Sequence, residues 1–195
     1  MQRDARRVAS SMDAAYDWPR TLIARGADAL RAEHLRRRPR EALSGALHCF
    51  LLDCSASMVG GGKLARAKGV LLALMEEAYR RRDRVSLLSF GGREVRLRVP
   101  PSRARMWNEA WIAPIGGGGG TPLQAAVQRA DGLLARSPHQ RRCLWLLTDG
   151  RTLEEPPRPA SADAACVIDL ESAAFPLRRA EQLAAGWQAQ YVRFD

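Results

Sequence analysis

Six short runs of apolar residues along the chain have the length and composition of β-strands. The runs at 46–53 and 141–147 are almost continuously apolar, which is typical of parallel strands buried on both faces. The run at 93–99 instead alternates apolar and charged residues, as an edge strand does. The remaining three runs cover 83–90, 164–170 and 190–194.

Between these runs, apolar residues recur at the spacing of an α-helix. The residues from Ser102 to Ile112 predict a short helix with Trp107 and Trp111 on one face, where we expect them to pack. Nearer the N-terminus, a short helix is predicted to end before Pro39. The predicted helices therefore cover 27–38, 63–79, 102–112, 123–134 and 176–187.

The order of these elements in the main part of the chain is β-α-β-β-α-α-β-β-α-β. Only Gly91-Gly92 separates the second strand from the third, which predicts an antiparallel hairpin. Alternation of strands with helices favours a parallel sheet covered on both faces. The sequence therefore predicts a three-layer, doubly wound α/β fold with a mostly parallel six-stranded sheet and one antiparallel edge strand.

The pattern also divides the chain into two parts. Residues 1–45 are rich in arginine, weakly periodic and too polar to bury a core of their own. We expect them to form an N-terminal extension that lies against the main domain or meets a partner. We expect residues 46–195 to form a single domain.

The composition argues against a nucleic-acid partner in spite of a formal charge of +10. Nearly all of the positive charge is arginine, because Lys63 and Lys68 are the lysines of the chain. A GC-rich genome explains such an excess of arginine. Basic residues are not interleaved with aromatic ones as they are in RNA-recognition surfaces.

The four cysteines form no CxxC pair and have no histidine at zinc spacing. They are expected to be reduced and buried, as in a cytoplasmic protein. The sequence has no apolar signal core at its N-terminus and no apolar run of membrane-spanning length. We therefore expect a cytoplasmic protein without a membrane span.

Polar side chains follow two of the continuously apolar strands and one glycine run. Asp53, Ser55 and Ser57 come at the end of the first strand, Thr121 follows five glycines and opens a helix, and Asp149 follows the strand at 141–147. The carboxyl ends of parallel strands meet at one edge of a sheet, so these side chains can converge there. Two carboxylates and three hydroxyls are hard oxygen ligands that suit Mg²⁺, with Mn²⁺ or Ca²⁺ as alternatives.

This set resembles the metal-ion-dependent adhesion site of von Willebrand factor A (integrin I-like) domains. The sequences of several short segments are similar to those of the A domain in the D-type subunit of magnesium and cobalt chelatases, and this similarity extends over about residues 46 to 195. The segments that carry this similarity are Leu52-Asp53-Cys54-Ser55-Ala56-Ser57-Met58, Ala67-Lys68-Gly69, Arg81-Arg82-Asp83-Arg84-Val85, Gly117-Gly118-Gly119-Gly120-Thr121-Pro122-Leu123 and Leu147-Thr148-Asp149-Gly150-Arg151.

The resemblance implies a role for each residue of the set. Ser55 and Ser57 would coordinate the ion directly, Asp53 and Asp149 would hold it directly or through water, and Thr121 would do either in different states. Ala56 stands where the family commonly has glycine.

The resemblance also implies a partner for the site. An AAA+ ATPase subunit of the chelatase would supply an acidic residue to the ion, and a large tetrapyrrole-binding subunit would carry the insertion of Mg²⁺ or Co²⁺. With no Walker A motif in its first 45 residues, the chain is expected to be a stand-alone, non-catalytic accessory subunit in cobalamin or chlorophyll-type synthesis.

Other interpretations of the same residues remain. The aspartate and serines could form a helix-capping turn. Asp53 could be a phosphoryl-accepting nucleophile, although this chemistry usually requires a second carboxylate or a general acid two positions further on, where this chain has Ser55. The glycine run lacks the Gly-Lys-Ser/Thr ending of a nucleotide-binding loop. Within the same fold, the partner could be a different AAA+ ATPase, such as one of the MoxR type.

Overall fold

The chain separates into two compact units, residues 1–44 and 45–195. In the first unit, helix α1 spans Trp18–Arg25 and a 3₁₀ turn spans Ala32–His34. The helix predicted at 27–38 is wrong where it can be compared, because its described residues form this 3₁₀ turn and residues 28, 31 and 36 are not helical; its remaining residues lie outside the described part of the chain. A computed structural model describes residues 18–26, 28, 31–34, 36, 45–106, 115–137, 141–173 and 175–194.

The second unit contains a six-stranded sheet with the strand order β3-β2-β1-β4-β5-β6. β2 and β3 pair antiparallel, and the other neighbouring strands pair parallel. The predicted class of fold is confirmed, including the antiparallel strand at one edge. The strands are β1 (Ala46–Asp53), β2 (Arg84–Gly91), β3 (Glu94–Arg103), β4 (Arg141–Thr148), β5 (Ala164–Asp169) and β6 (Gln190–Arg193).

Helices cover both faces of this sheet. α4 and α5 pack on one face, and α3 packs on the other. Among the described residues, no helix is both long enough and apolar enough to cross a lipid bilayer. The helices of this unit are α2 (Ala56–Val59), α3 (Lys63–Arg80), α4 (Leu123–Ala135) and α5 (Arg179–Trp187), with a 3₁₀ turn at Gly60–Gly62 between α2 and α3.

Strand β1 lies in the middle of the sheet and contributes to both cores. Leu47 and Leu51 pack with α4 and α5, whereas Phe50 and Leu52 pack with α3. Successive side chains of a strand point to opposite faces, so a strand covered on both sides must be apolar at nearly every position. The apolar run ends at Asp53 because β1 itself ends there, at the carboxyl end of the parallel strands.

Strand β3 is longer than its sequence predicts. The prolines at 100 and 101 do not close it, and it continues to Arg103. Proline lacks a backbone N–H, but an edge strand tolerates this loss on its open side. The helix predicted from Ser102 is wrong at its start, because residues 102–103 belong to the strand, while residues 107–112 lie outside the described part of the chain.

Helix α5 begins three residues later than the predicted start at Pro176. The carboxylate of Glu171 accepts hydrogen bonds from the backbone N–H groups of Leu177 and Arg178, at 2.9 and 3.1 Å. Arg178 also adopts a left-handed conformation, with φ of 55°. These contacts hold the chain out of the helix until Arg179.

Candidate metal centre

Asp53, the last residue of β1, is fully buried and holds the loop that follows it. Its Oδ1 accepts a hydrogen bond from the backbone N–H of Ser55 at 2.8 Å. Its Oδ2 accepts a hydrogen bond from the hydroxyl of Thr148, at the end of β4, at 2.6 Å. The carboxylate therefore joins the ends of two neighbouring parallel strands.

The two serines and Asp149 continue this network towards the surface. The hydroxyl oxygens of Ser55 and Ser57 lie 3.2 Å apart. Ser57 donates a hydrogen bond to Asp149 Oδ1 at 3.0 Å. Four of the five predicted ligands thus meet at the carboxyl ends of β1 and β4.

The fifth predicted ligand, Thr121, lies at the end of a glycine loop that is bonded to the same segment. Within this loop, the N–H of Gly118 donates to the carbonyl of Cys54 at 2.7 Å, and the carbonyl of Gly119 accepts from Ala56 N at 3.0 Å. Thr121 is partly exposed, and no hydrogen bond of its hydroxyl occurs within the described part of the chain. The structure therefore ties the loop that carries Thr121 to the segment of the two serines, but among the described residues Thr121 makes no hydrogen bond to the other four predicted ligands.

Close backbone packing explains why this loop contains glycine. A Cβ atom at Gly117 would lie 2.7 Å from the carbonyl oxygen of Cys54 and 2.8 Å from a methyl of Val59. At Gly119, which has φ of +74°, a Cβ would lie 2.6 Å from the Cα of Gly92. Side chains at these two positions would push the loop away from the site.

Burial disfavours negative charge at the base of the site. Loss of hydration raises the pKa of Asp53, although the hydrogen bonds from Thr148 and Ser55 oppose this effect. The negative charge of Asp149 raises the pKa of Asp53 further. Burial, together with the charge of Asp53, also raises the pKa of the Cys54 thiol to about 12, so this cysteine is protonated at neutral pH.

Lys63 also belongs to the site, and the sequence pattern alone did not indicate this. Its Nζ lies 2.7 Å from Asp149 Oδ2 and donates to the backbone carbonyl of Ser57 at 3.2 Å. Thr148 was likewise missed, although it directly precedes Asp149. The sequence shows only that Lys63 is a lysine in an arginine-rich chain and that Thr148 stands beside a predicted ligand. Neither fact indicates which side chain these residues contact in the folded protein.

The residues present fit a hard divalent cation. Among the described residues, no three His, Cys, Asp or Glu side chains cluster in a way that could hold a metal. The network formed by Asp53, Ser55, Ser57 and Asp149 instead combines two buried carboxylates with two hydroxyls. Magnesium and calcium prefer such oxygen donors, and a nearby cation would offset the cost of burying two negative charges.

A polar groove of about 380 Å³ runs beside this network. It lies between the β2–β3 hairpin and the glycine loop, and it is lined by Cys54, which stands between Asp53 and Ser55 in the sequence. Arg96 and Arg98 line it, the first paired with Glu94 and the second donating to the hydroxyl of Ser89 at 2.8 Å. Within the described residues Arg98 has no carboxylate partner, so this wall of the groove is positively charged.

The sheet order and the position of the site define a class of protein. The family model of the von Willebrand factor type A domain matches residues 49–151, which include Asp53, Ser55, Ser57, Thr121 and Asp149. The chain belongs to this family.

Curated relatives include subunits of magnesium chelatases. The chain is 38% identical to the magnesium-chelatase 60 kDa subunit of Cereibacter sphaeroides over 63% of its own length and 22% of that subunit. It is 41% identical to the 67 kDa subunit of Chlorobaculum parvum over 43% of its length and 13% of that subunit. An uncharacterised protein of Mycobacterium tuberculosis is 32% identical over 90% of this chain and 31% of its own. The chain spans less than a third of each of these relatives.

Solved structures of low sequence identity share the fold. An aerotolerance-related membrane protein of Bacteroides fragilis is 18% identical, with a TM-score of 0.60 over 77% of this chain and 92% of that one. A von Willebrand factor type A protein of Catenulispora acidiphila is 15% identical, with a TM-score of 0.58 over 83% of this chain and 40% of that one. At these identities the similarity establishes the architecture alone.

Proposed function

We propose that this domain binds Mg²⁺ and, through the ion, holds a carboxylate of an AAA+ ATPase. The complex would be a metal chelatase that inserts Mg²⁺ or Co²⁺ into a tetrapyrrole, and this domain would be a non-catalytic subunit of it. The observation that carries the proposal is the convergence of four oxygen-bearing side chains at one point of the sheet edge. The named magnesium-chelatase relatives support the setting.

In this proposal each residue has a separate task. Ser55 and Ser57 present hydroxyl oxygens to the ion, and Asp149 contributes a carboxylate from the neighbouring strand. Asp53 holds the Ser55 backbone and balances charge, because hydrogen bonds already reach both of its oxygens. Thr121 would complete the set from the glycine loop. When bound, the ion supplies a position at which an external carboxylate oxygen can coordinate.

The groove beside the site favours an acidic partner. Arg98 places a positive charge on the groove wall next to the segment that carries the two serines. A partner segment that brings one carboxylate to the ion could place a second one against this arginine. An ATPase surface rich in aspartate and glutamate would therefore fit both features.

The environment of Asp53 argues against its acting as a phosphoryl-accepting nucleophile. The side chain is fully buried, and both of its oxygens accept hydrogen bonds from the protein. A nucleophile needs an accessible oxygen aligned with the phosphorus atom. The remaining alternative is a different AAA+ partner, such as a MoxR-type ATPase, and the identity of the retained ATPase separates it from a chelatase. We place the complex in the cytoplasm, where the four cysteines would stay as free thiols.

Affinity purification with and without Mg²⁺ tests this function. The immobilised domain should retain a chelatase ATPase from an extract of the source cell in Mg²⁺ and release it in EDTA. Asp53→Ala and the less buried Ser57→Ala should each lower Mg²⁺ affinity at least tenfold in calorimetry, since each removes an oxygen-bearing group of the site. Both should also abolish retention of the ATPase, which mass spectrometry would identify.

Glu155→Ala is the matched control, because it removes an exposed carboxylate outside the site. It should bind Mg²⁺ and retain the ATPase as the wild type does. Unchanged Mg²⁺ binding in Asp53→Ala and Ser57→Ala would contradict the proposed site. Retention of a MoxR-type ATPase in place of a chelatase subunit would move the domain to the alternative complex.

A further inference from the structure

Lys63 is a buried lysine whose charge faces a predicted metal ligand. The residue is 8% exposed, and its ammonium group contacts Asp149 Oδ2 at 2.7 Å and the carbonyl of Ser57 at 3.2 Å. Lysine is almost never buried unless its charge is paired. The Asp149 carboxylate is its salt-bridge partner among the described residues.

The local structure explains how Lys63 reaches the site. Gly61 and Gly62 adopt left-handed conformations, with φ of 65° and 73°, and they turn the chain between α2 and α3. Lys63 is the first residue of α3, and the first turn of that helix contains no acidic residue. A positive charge is unfavourable at the N-terminal end of a helix. The contact with Asp149 therefore has to stabilise the lysine in this position.

The charges of the site make Lys63 a competitor for a metal ion. Asp53 and Asp149 are both buried, and Lys63 brings one positive charge to the oxygen Oδ2 of Asp149. A divalent ion bound by Asp149 would have to share this carboxylate with the ammonium group or replace it there. Repulsion between two cations on one carboxylate weakens the binding of each.

We propose that Lys63 is a built-in competing cation that sets the Mg²⁺ affinity of this domain. The inference rests on the proposed function, because it assumes that the same oxygens bind Mg²⁺. The lysine keeps the isolated domain stable without an ion and makes ion binding weak. The ion is then held well only when a carboxylate of the partner adds negative charge, so metal binding and docking become coupled.

Lys63→Met tests this inference, because it keeps much of the length of the side chain and removes the charge. Calorimetry should show Mg²⁺ binding that is tighter by on the order of tenfold than in the wild type. Lys68→Met is the matched control, since it makes the same change five residues further along α3. Its Mg²⁺ affinity should change less than that of Lys63→Met, because it is Lys63 that contacts the carboxylate of Asp149 directly, at 2.7 Å.

Thermal unfolding separates competition from a purely structural role. In EDTA, Lys63→Met should unfold at a lower temperature than the wild type, because Asp149 loses its partner. Addition of Mg²⁺ should recover this loss and raise the unfolding temperature more than it does in the wild type. An equal loss with and without Mg²⁺, together with unchanged affinity, would overturn the proposal and leave a structural salt bridge.

The wild-type chain offers a second test that needs no variant at the site. Because Lys63 and Lys68 are the lysines of the chain, labelling with an amine-reactive acylating reagent can be followed at each one by mass spectrometry. Saturating Mg²⁺ should increase the labelling of Lys63 relative to Lys68 by at least threefold. No change in this ratio at a Mg²⁺ concentration shown to bind would overturn the inference.

The outcomes distinguish the inference from the function on which it rests. If the wild type binds Mg²⁺ and Asp53→Ala does not, but Lys63→Met binds no more tightly, the proposed site stands and the competition is refuted. If neither the wild type nor Lys63→Met binds Mg²⁺, both proposals fail. Binding by Lys63→Met that is tighter than wild-type binding supports both.

Discussion

Asp53 is a fully buried carboxylate whose neighbours only partly replace its lost hydration. Two hydrogen-bond donors reach it, yet its pKa stays above the ordinary value because burial and the charge of Asp149 both oppose ionisation. At neutral pH an ionised Asp53 therefore costs folding free energy, which a nearby cation would offset. This conflict between burial and charge is what makes an ion at the site physically reasonable.

The pH dependence of stability provides a test of this conflict. The folded state binds the proton of Asp53 more tightly than the unfolded chain, whose carboxyl pKa is near 3.8. Protonated Asp53 thus favours folding below that value, and the contribution is lost as the pH rises through the raised folded-state pKa. In EDTA, the unfolding free energy of the wild type relative to Asp53→Asn should fall from about pH 4 towards neutrality, as measured by urea denaturation.

Asp163→Asn gives the opposite sign and serves as the control. Hydrogen bonds from Arg142 hold the pKa of Asp163 below 3.8. Its contribution to stability is therefore present above the ordinary carboxyl pKa and is lost as the pH falls through the depressed value. If the two differences had the same slope with pH, the environment assigned to Asp53 would be wrong.

At the scale of elements, three segments pack backbone against backbone to hold the site. The loop after β1 bonds to the glycine loop through Cys54 and Ala56, and the glycine loop bonds to the β2–β3 hairpin between Gly92 and Gly120. The N–H of Cys54 also donates to the carbonyl of Phe90, at the end of β2, at 2.7 Å. The position of Thr121 therefore depends on contacts that side chains at the glycine positions would break.

Gly117→Ala tests this packing. The new methyl would lie 2.7 Å from the carbonyl oxygen of Cys54, so the loop or the segment that carries the serines has to move. We expect a loss of about 1–3 kcal/mol in unfolding free energy, as for other overpacked positions. Mg²⁺ affinity measured by calorimetry should fall as well.

Gly116→Ala is the neighbouring control, because a Cβ there meets no atom within 4 Å. Its unfolding free energy should stay within about 0.5 kcal/mol of the wild type, and Mg²⁺ affinity should not change. Equal effects of the two substitutions would show that the flexibility of the glycine run, rather than its close packing, matters.

At the scale of the whole molecule, the candidate site and the groove lie together at one edge of the sheet. The formal charge of +10 is distributed over the chain, but Arg98 places positive charge beside the oxygen ligands. The domain corresponds to a small part of its chelatase-subunit relatives, at most 22% of those compared above. Its proposed role is accordingly that of one docking surface within a larger assembly.

Arg98→Glu tests whether the groove takes part in docking of the ATPase. Reversal of this charge should lower the amount of ATPase retained in Mg²⁺ by on the order of tenfold, because an acidic partner would be repelled. Mg²⁺ binding by the isolated domain should not weaken, since Arg98 is not among the proposed ligands. Retention and ion affinity can be measured on the same preparations.

Arg136→Glu is the control for a general effect of charge. It makes the same change at the C-terminal end of α4, where the chain has run back from the glycine loop towards the start of β4. Retention of the ATPase should stay close to that of the wild type. A similar loss in both variants would indicate non-specific electrostatic attraction and would remove the groove from the proposal.

Local pattern was sufficient for most of the fold. Strand β1 can be predicted from the sequence because burial on both faces requires apolar residues in succession. Helix α3 can be predicted because its buried residues recur at helical spacing. The start of α5 could not be predicted from the sequence, because it depends on hydrogen bonds from the backbone N–H groups of Leu177 and Arg178 to the carboxylate of Glu171. The extension of β3 to Arg103 depends on its place at an open edge, which no residue of the strand encodes by itself.

The sequence by itself determined which oxygen-bearing residues end the strands, because the ends of apolar runs and the positions of Asp and Ser are local features. Only the tertiary structure decided what those residues touch. The bond from Thr148 to Asp53 and the ion pair of Lys63 with Asp149 join residues 95 and 86 positions apart. Such contacts depend on the strand order and on the direction in which α3 leaves its glycine turn, and these are properties of the packed chain.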